Sequence, residues 1–117
     1  MRILAVYSYR DDAQALIGAL ETLYPDAEII PDDDGMSAVK YAFNHPVDAV
    51  YTYLMMPRIN GFDVARLVRK VHPQAEAYLI DYSDKYVPDA AGRNLNGYYL
   101  TPISADALRS ENLLTAI

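Results

Sequence analysis

The sequence predicts one α/β domain of the (βα)5 kind, a doubly wound parallel five-stranded sheet with helices on both faces. Short apolar runs alternate strictly with longer amphipathic ones, five times over, and that order calls for parallel strands joined by crossover helices. The third run, Val47 to Tyr53, is apolar enough to be covered on both faces, as a central parallel strand must be. At 117 residues the chain buries one core and is too short for two, so residues 1–117 are read as a single domain.

Each element has its own signal. Ile3 to Tyr7 reads as a buried strand, and Asp11 and Asp12 open a helix with Ala15, Leu16, Ala19, Leu20 and Leu23 on one face. Pro25-Asp26 ends it. Ala27 to Ile30 is the second strand; Asp34-Gly35 leads into a helix carrying Met36, Val39, Tyr41, Ala42 and Phe43, which His45-Pro46 stops. After the third strand and a Met55-Met56-Pro57 loop, Phe62, Val64, Ala65, Leu67, Val68 and Val71 fit a third helix, closed by His72-Pro73. Ala75 to Ile80 makes the fourth strand. Asp84 to Arg93 is a weak helix, since it contains Pro88 and Gly92. Gly97 to Leu100 is the fifth strand, broken by Pro102, and Ser104 caps a last helix running through Ala107, Leu108 and Leu113/Leu114.

Composition excludes several classes of function. A hydrophobic fraction of 52% with 22% charged residues is that of a globular domain, and no apolar run approaches the roughly 20 residues a membrane-spanning helix needs. The first residues, Met1 to Tyr7, lack a small-residue cleavage site and read as a strand rather than a secretory signal, so a cytoplasmic location is expected. With no cysteine there is no disulfide, thiol catalysis or cysteine-zinc site. A net charge of -6, with ten basic residues that read as scattered singly, argues against a nucleic-acid surface. Asp32-Asp33-Asp34-Gly35 fails the calcium-loop spacing at Ile30 and Tyr41 and is read as a solvated loop. His45 and His72 each sit at a helix end and define no metal site.

Ligands of doubly wound sheets sit at the carboxyl ends of the strands. The residues placed there are Tyr7, Ser8 and Tyr9 after the first strand, Tyr53 after the third, Asp81 and Tyr82 after the fourth and Thr101 after the fifth.

The whole chain resembles a response-regulator receiver domain of the CheY-like, flavodoxin-like fold, and is most similar to receivers that precede LytTR-type DNA-binding domains. The resemblance is carried by Arg2-Ile3-Leu4-Ala5-Val6, Asp48-Ala49-Val50, Met55-Met56-Pro57, Asn60-Gly61-Phe62, Tyr82-Ser83-Asp84-Lys85-Tyr86 with Asp89-Ala90, and Gly97-Tyr98-Tyr99-Leu100-Thr101-Pro102. It implies an acidic pair holding Mg²⁺, an acceptor aspartate, a hydroxyl residue and a lysine. This sequence has Tyr7 and Ser8 for the acidic pair, Tyr53 for the acceptor, Asp81 for the hydroxyl residue and Thr101 for the lysine, with Tyr9 at a third acidic position. Tyr98 stands where the family has its switch aromatic, and is expected to be an ordinary half-buried strand tyrosine without a phosphoryl group to drive it.

A phenol with an ordinary pKa of about 10 is neutral at pH 7, so it offers Mg²⁺ no charge and phosphate no carboxylate nucleophile. Losing the cluster also removes repulsion on the order of 4 kcal/mol between carboxylates about 4 Å apart. Asp81 is expected to accept hydrogen bonds from Tyr7, Tyr53 or Thr101, or to cap the helix near Asp84; Tyr53 is expected to fill the vacated space.

The reading that follows is a degenerate receiver, a pseudo-receiver: no enzyme, no cofactor or metal, but a phosphorylation-independent module of signalling and transcription regulation. Its partner is a protein or a second copy, met through the last two helices and fifth strand, with an output domain in a longer parent protein and no nucleic acid or membrane bound by this chain. The alternatives are a small-molecule domain using a pocket of Tyr7, Tyr9, Tyr53 and Tyr82, an engineered receiver scaffold, or phosphotransfer to a displaced Asp11, Asp12 or Asp81.

Overall fold

The centre of the sheet forms where side chains are apolar on both faces of the chain. In the structure, a computed structural model describing residues 1–115, these strands are β1 (Arg2–Val6), β3 (Ala49–Tyr53) and β4 (Glu76–Asp81), flanked by β2 (Glu28–Asp32) and β5 (Gly97–Leu100). The order is β2-β1-β3-β4-β5, every pair parallel. All five residues of β3 are buried, as its apolar run requires, whereas every residue of the edge strand β2 is either half-buried or exposed. The five-stranded parallel architecture is the one expected from the alternation of runs, with strand ends shifted by one or two residues.

Alternation along the strands sends successive side chains to opposite faces. On one face Leu4, Val6, Val50, Leu79 and Tyr98 meet helices α2 (Gly35–Asn44), α3 (Gly61–Val71) and α4 (Val87–Ala91). On the other, Ile3, Ala5, Tyr51, Tyr53, Ile80 and Tyr99 meet α1 (Arg10–Leu23) and α5 (Ala105–Ser110). Each fully buried Leu, Ile or Val contributes roughly 1.5–3 kcal/mol, so the two layers carry the hydrophobic stabilisation. The second layer is unusually phenolic. Tyr51 and Tyr78 are paired across β3 and β4 and stack with ring centroids 4.2 Å apart, and the Tyr51 and Tyr24 hydroxyls lie 3.3 Å from each other.

Capping follows the sequence closely at three helices. Asp34 accepts from the Met36 amide at α2, Asn60 from Asp63 at α3 and Ser104 from Ala107 at α5. Gly61 opens α3 directly beneath β3: a Cβ there would lie 2.5 Å from the Tyr53 carbonyl oxygen and 2.9 Å from the Leu54 Cα, so no larger residue allows this close approach. Its amide donates to the Leu54 carbonyl at 2.8 Å, which holds the helix against the end of the strand.

The last two helices are shorter than expected. Pro88 has no N–H and is tolerated only in a first turn, so α4 starts at Val87 instead of Asp84, and it ends at Ala91 before Gly92. The expected continuation of α5 through Leu113 and Leu114 does not form. The helix stops at Ser110, and Asn112 and Leu113 turn back along β5: the Tyr98 amide donates to Asn112 Oδ1 at 3.1 Å, and the Leu113 amide donates to the Tyr98 carbonyl at 2.9 Å. Both leucines are half-buried against the α2/α3/α4 layer.

Candidate functional site

The strand carboxyl ends form a crevice, and strand periodicity divides its residues between the two faces. Tyr53 lies in register with Ile80, and both belong to the α1/α5 layer, as does Tyr7. Asp81 is one residue on from Ile80, and so shares the opposite face with Leu79 and with Leu79's neighbour Tyr98. This separates Asp81 from the phenols it was expected to serve.

Asp81 is only 4% exposed, yet its carboxylate is well supplied with donors. The Tyr98 hydroxyl donates to Oδ2 at 2.8 Å, and the Tyr82 amide donates to Oδ1 at 2.8 Å. The same Tyr98 proton is shared with the Ser83 carbonyl, 3.0 Å away. A hydrogen bond to an ionised acceptor is roughly twice as strong as a neutral one, and in a buried setting its loss is costly. The Tyr98 ring is fully buried, which corrects the expectation of a half-buried strand tyrosine. Burial pushes its phenol pKa up, and the Asp81 carboxylate adds to the rise. The Asp81 carboxylate therefore bonds neither Tyr7, Tyr53 nor Thr101, whose amide instead meets the Asp81 backbone carbonyl at 3.0 Å, and it caps no helix, since α4 begins six residues later behind Tyr86.

The other face is filled rather than bonded. Tyr53 is 2% exposed, and its hydroxyl is buried without a hydrogen-bond partner, as is the Ser8 hydroxyl. Burial, followed by the charge of Asp12, pushes the Tyr53 phenol up to about 12; the Thr101 side chain faces the same hydroxyl and opposes the rise through weak hydrogen bonding that falls short of a well-formed bond. Tyr82 tilts over Tyr53 with centroids 5.9 Å apart, and its hydroxyl donates to Asp12. Asp12 thus joins the site from the first turn of α1, a position the sequence marks as a helix start and as one candidate for a displaced acceptor. Tyr7 is half-buried in the same layer, whereas Tyr9 is 64% exposed.

Of the four tyrosines expected to line a pocket, Tyr53 is buried in the core, Tyr7 is half-buried and Tyr82 tilts over Tyr53. The cavity of about 370 Å³ at this end is bounded by Ser8, Tyr9, Met55, Met56 and Pro57, and of the four expected tyrosines only Tyr9 lines it. Tyr7 and Ser8 offer a cation oxygen without charge, so these residues do not fit Mg²⁺. Among the described residues no three His, Asp or Glu side chains gather as a metal site. Asp34 of the acidic run caps α2 and pairs with Arg58 at 2.6 Å, which holds its carboxyl below the usual range. His72 Nε2 lies 2.6 Å from the Ala42 carbonyl, a tie between α3 and α2.

One expectation about charge is overturned. The basic residues are not all scattered, because Arg66, Arg69 and Lys70 of α3 meet Arg93 across a groove beside α4. Their spacing along α3 was visible in the sequence; Arg93 joins them only through the fold.

No family model matches the chain. It is 28% identical over 87 residues to the transcriptional regulatory protein DegU of Brevibacillus brevis, a stretch covering 72% of this chain and 37% of that protein. The chain thus spans little more than a third of that relative. Among solved structures, the two component transcriptional regulator AraC of Clostridium phytofermentans superposes with a TM-score of 0.77 at 28% identity, covering 96% of this chain and 89% of the other. The chemotaxis response regulator CheY4 of Vibrio cholerae gives a TM-score of 0.79 at 18% identity, over 99% and 98% of the two chains. The chain has the CheY-like, flavodoxin-like fold that these receiver structures share.

Proposed function

We propose that this domain works as a phosphorylation-independent interaction module in signalling or transcription regulation, a pseudo-receiver held in one arrangement by its own side chains. The observation that carries this is the buried bond from the Tyr98 hydroxyl to the Asp81 carboxylate at 2.8 Å. In the receiver resemblance these are the switch aromatic and the hydroxyl position, whose coupling depends on a phosphoryl group. Here the carboxylate takes the phenol directly, with no ligand between them. Tyr7, Ser8, Tyr53 and Thr101, at the remaining positions of that machinery, carry no charge to bind a metal or to neutralise a phosphate.

The partner surface we assign is the one formed by α4, β5 and α5, where Leu100 is exposed beside Pro102. A second copy or another protein would meet it there. An output domain in a longer parent protein, of LytTR or another DNA-binding type, is part of the same reading.

Incubation with acetyl phosphate and Mg²⁺ followed by intact-mass measurement tests the reading directly. The expected result is an unchanged mass; a stoichiometric phosphoryl adduct on Asp11, Asp12 or Asp81 would overturn it. Light scattering over a concentration series tests the second-copy form, and substitution of Leu100 by Glu should abolish any dimer seen.

A further inference from the structure

The strongest concentration of positive charge on this acidic protein lines an apolar groove. Its cavity, of about 370 Å³, lies between α3 and the α4–β5 connection, with Phe62 and Leu95 among its walls and Arg66, Arg69, Lys70 and Arg93 around it. Four of the chain's ten basic residues thus serve one groove, although the net charge is -6. The charges are poorly compensated. Arg69 spends its donors on the neutral Ala75 and Asn94 carbonyls and the Asn96 side chain, which fixes its position and leaves its charge unopposed. The Arg93 guanidinium carbon lies over the Phe62 ring, 4.2 Å from its centroid, a cation–π contact. Lys70 and Arg93 have no ion-pair partner among the described residues, and Arg66 has only a 3.5 Å surface contact with Asp63. Asp89 lines the adjoining cavity with Arg93 without pairing to it. Arg66 and Lys70 stand one helical turn apart, an arrangement of like charges that is unfavourable until an anion lies between them.

We infer that this groove binds an acidic polypeptide segment that places one apolar side chain against Phe62 and Leu95 and carboxylates on the surrounding cations. The inference rests on the reading of the domain as an interaction module, and adds a second docking face whose partner is defined by chemistry. Charge complementarity selects the occupant. A few carboxylates flanking an apolar residue match the patch in extent, and the apolar walls favour a side chain over a bare anion. A nucleic-acid strand presents a charge about every 3.4 Å in a continuous line and would run on past four cations, on a chain whose net charge is -6.

The test uses a fluorescein-labelled peptide of Glu alternating with Leu and Phe, its Gln-for-Glu counterpart and a labelled single-stranded oligonucleotide, each titrated against the full chain by fluorescence anisotropy. The Glu peptide is expected to bind, to weaken as salt rises, and to shift the amide resonances of Phe62, Ala65 and Leu95. The exposed double reversal Arg66→Glu/Lys70→Glu, checked for folding by circular dichroism, should weaken it by about tenfold or more. Equal binding of the Gln peptide, unchanged binding by the double reversal, tighter binding of the oligonucleotide, or shifts confined to another face would overturn the proposal. An acetyl phosphate adduct would sink the phosphorylation-independent reading without altering these outcomes, so the two can fail separately.

Discussion

Two tyrosines at the same end of the sheet, on opposite faces, have met opposite fates. The Tyr98 hydroxyl is fully buried with two acceptors within 3.0 Å, whereas the equally buried Tyr53 hydroxyl has none. The receiver resemblance assigns signalling roles to both positions, and in this sequence both are phenols. The difference teaches that filling space and making a bond are separate requirements. On the α2/α3/α4 face a carboxylate and a phenol form a bonded unit; on the α1/α5 face a ring supplies packing, and its polar atom is left over.

Alkali gives the largest effect to set against this contrast. Tyr51, Tyr53, Tyr98 and Tyr99 all have phenol pKa values raised chiefly by burial. A raised folded-state value means that stability is fully present below the unfolded phenol's pKa of about 10 and is lost as pH climbs through the folded values. Thermal midpoints should therefore hold steady up to about pH 10 and collapse above it. Phenolate absorbance should rise together with loss of circular dichroism; ionisation of these rings in a chain that stays folded would contradict their burial.

The next effect separates the two faces. Tyr98→Phe strips Asp81 of its side-chain donor and leaves a buried carboxylate oxygen without a partner, for an expected loss of about 2–3 kcal/mol in denaturant titrations at constant m-value. Asp81→Asn keeps the shape and an acceptor but loses the charge, so a smaller loss of about 1 kcal/mol is expected. Tyr53→Phe removes a hydroxyl that makes no well-formed hydrogen bond, with Thr101 and Asp12 as its nearest polar neighbours, and should leave stability unchanged or raise it by about 0.5 kcal/mol. A Tyr53→Phe cost equal to that of Tyr98→Phe would erase the comparison, because it would mean that the Tyr53 hydroxyl has a partner in solution.

Much of the fold was legible because buried parallel strands advertise themselves: Val47 to Tyr53 is apolar at nearly every position, and all of β3 is buried. The limits of α4 were less so, since Pro88 permits two readings, a broken helix or a first turn, and only the second agrees with its missing N–H. The Asp81–Tyr98 bond could have been found by counting. Residues of β4 alternate in face, and Asp81 falls out of phase with Ile80, the neighbour of Tyr53. Chain proximity at the crevice concealed that parity. Nothing local marked Arg93 as a member of the cationic groove, because a loop residue some two dozen positions from α3 is brought there only by the β4–α4–β5 crossover.

The return of Asn112 and Leu113 along β5 bears on how the sheet ends. A parallel sheet is open at both margins, and a bare margin is a template on which a foreign strand can add itself. At Tyr98 that template is already in use, with the amide held by Asn112 and the carbonyl by Leu113. Growth of the sheet past β5 by strand addition would first have to peel this segment away. Association at this margin is accordingly steered towards side chains and away from backbone pairing, which guards a short edge strand against aggregation.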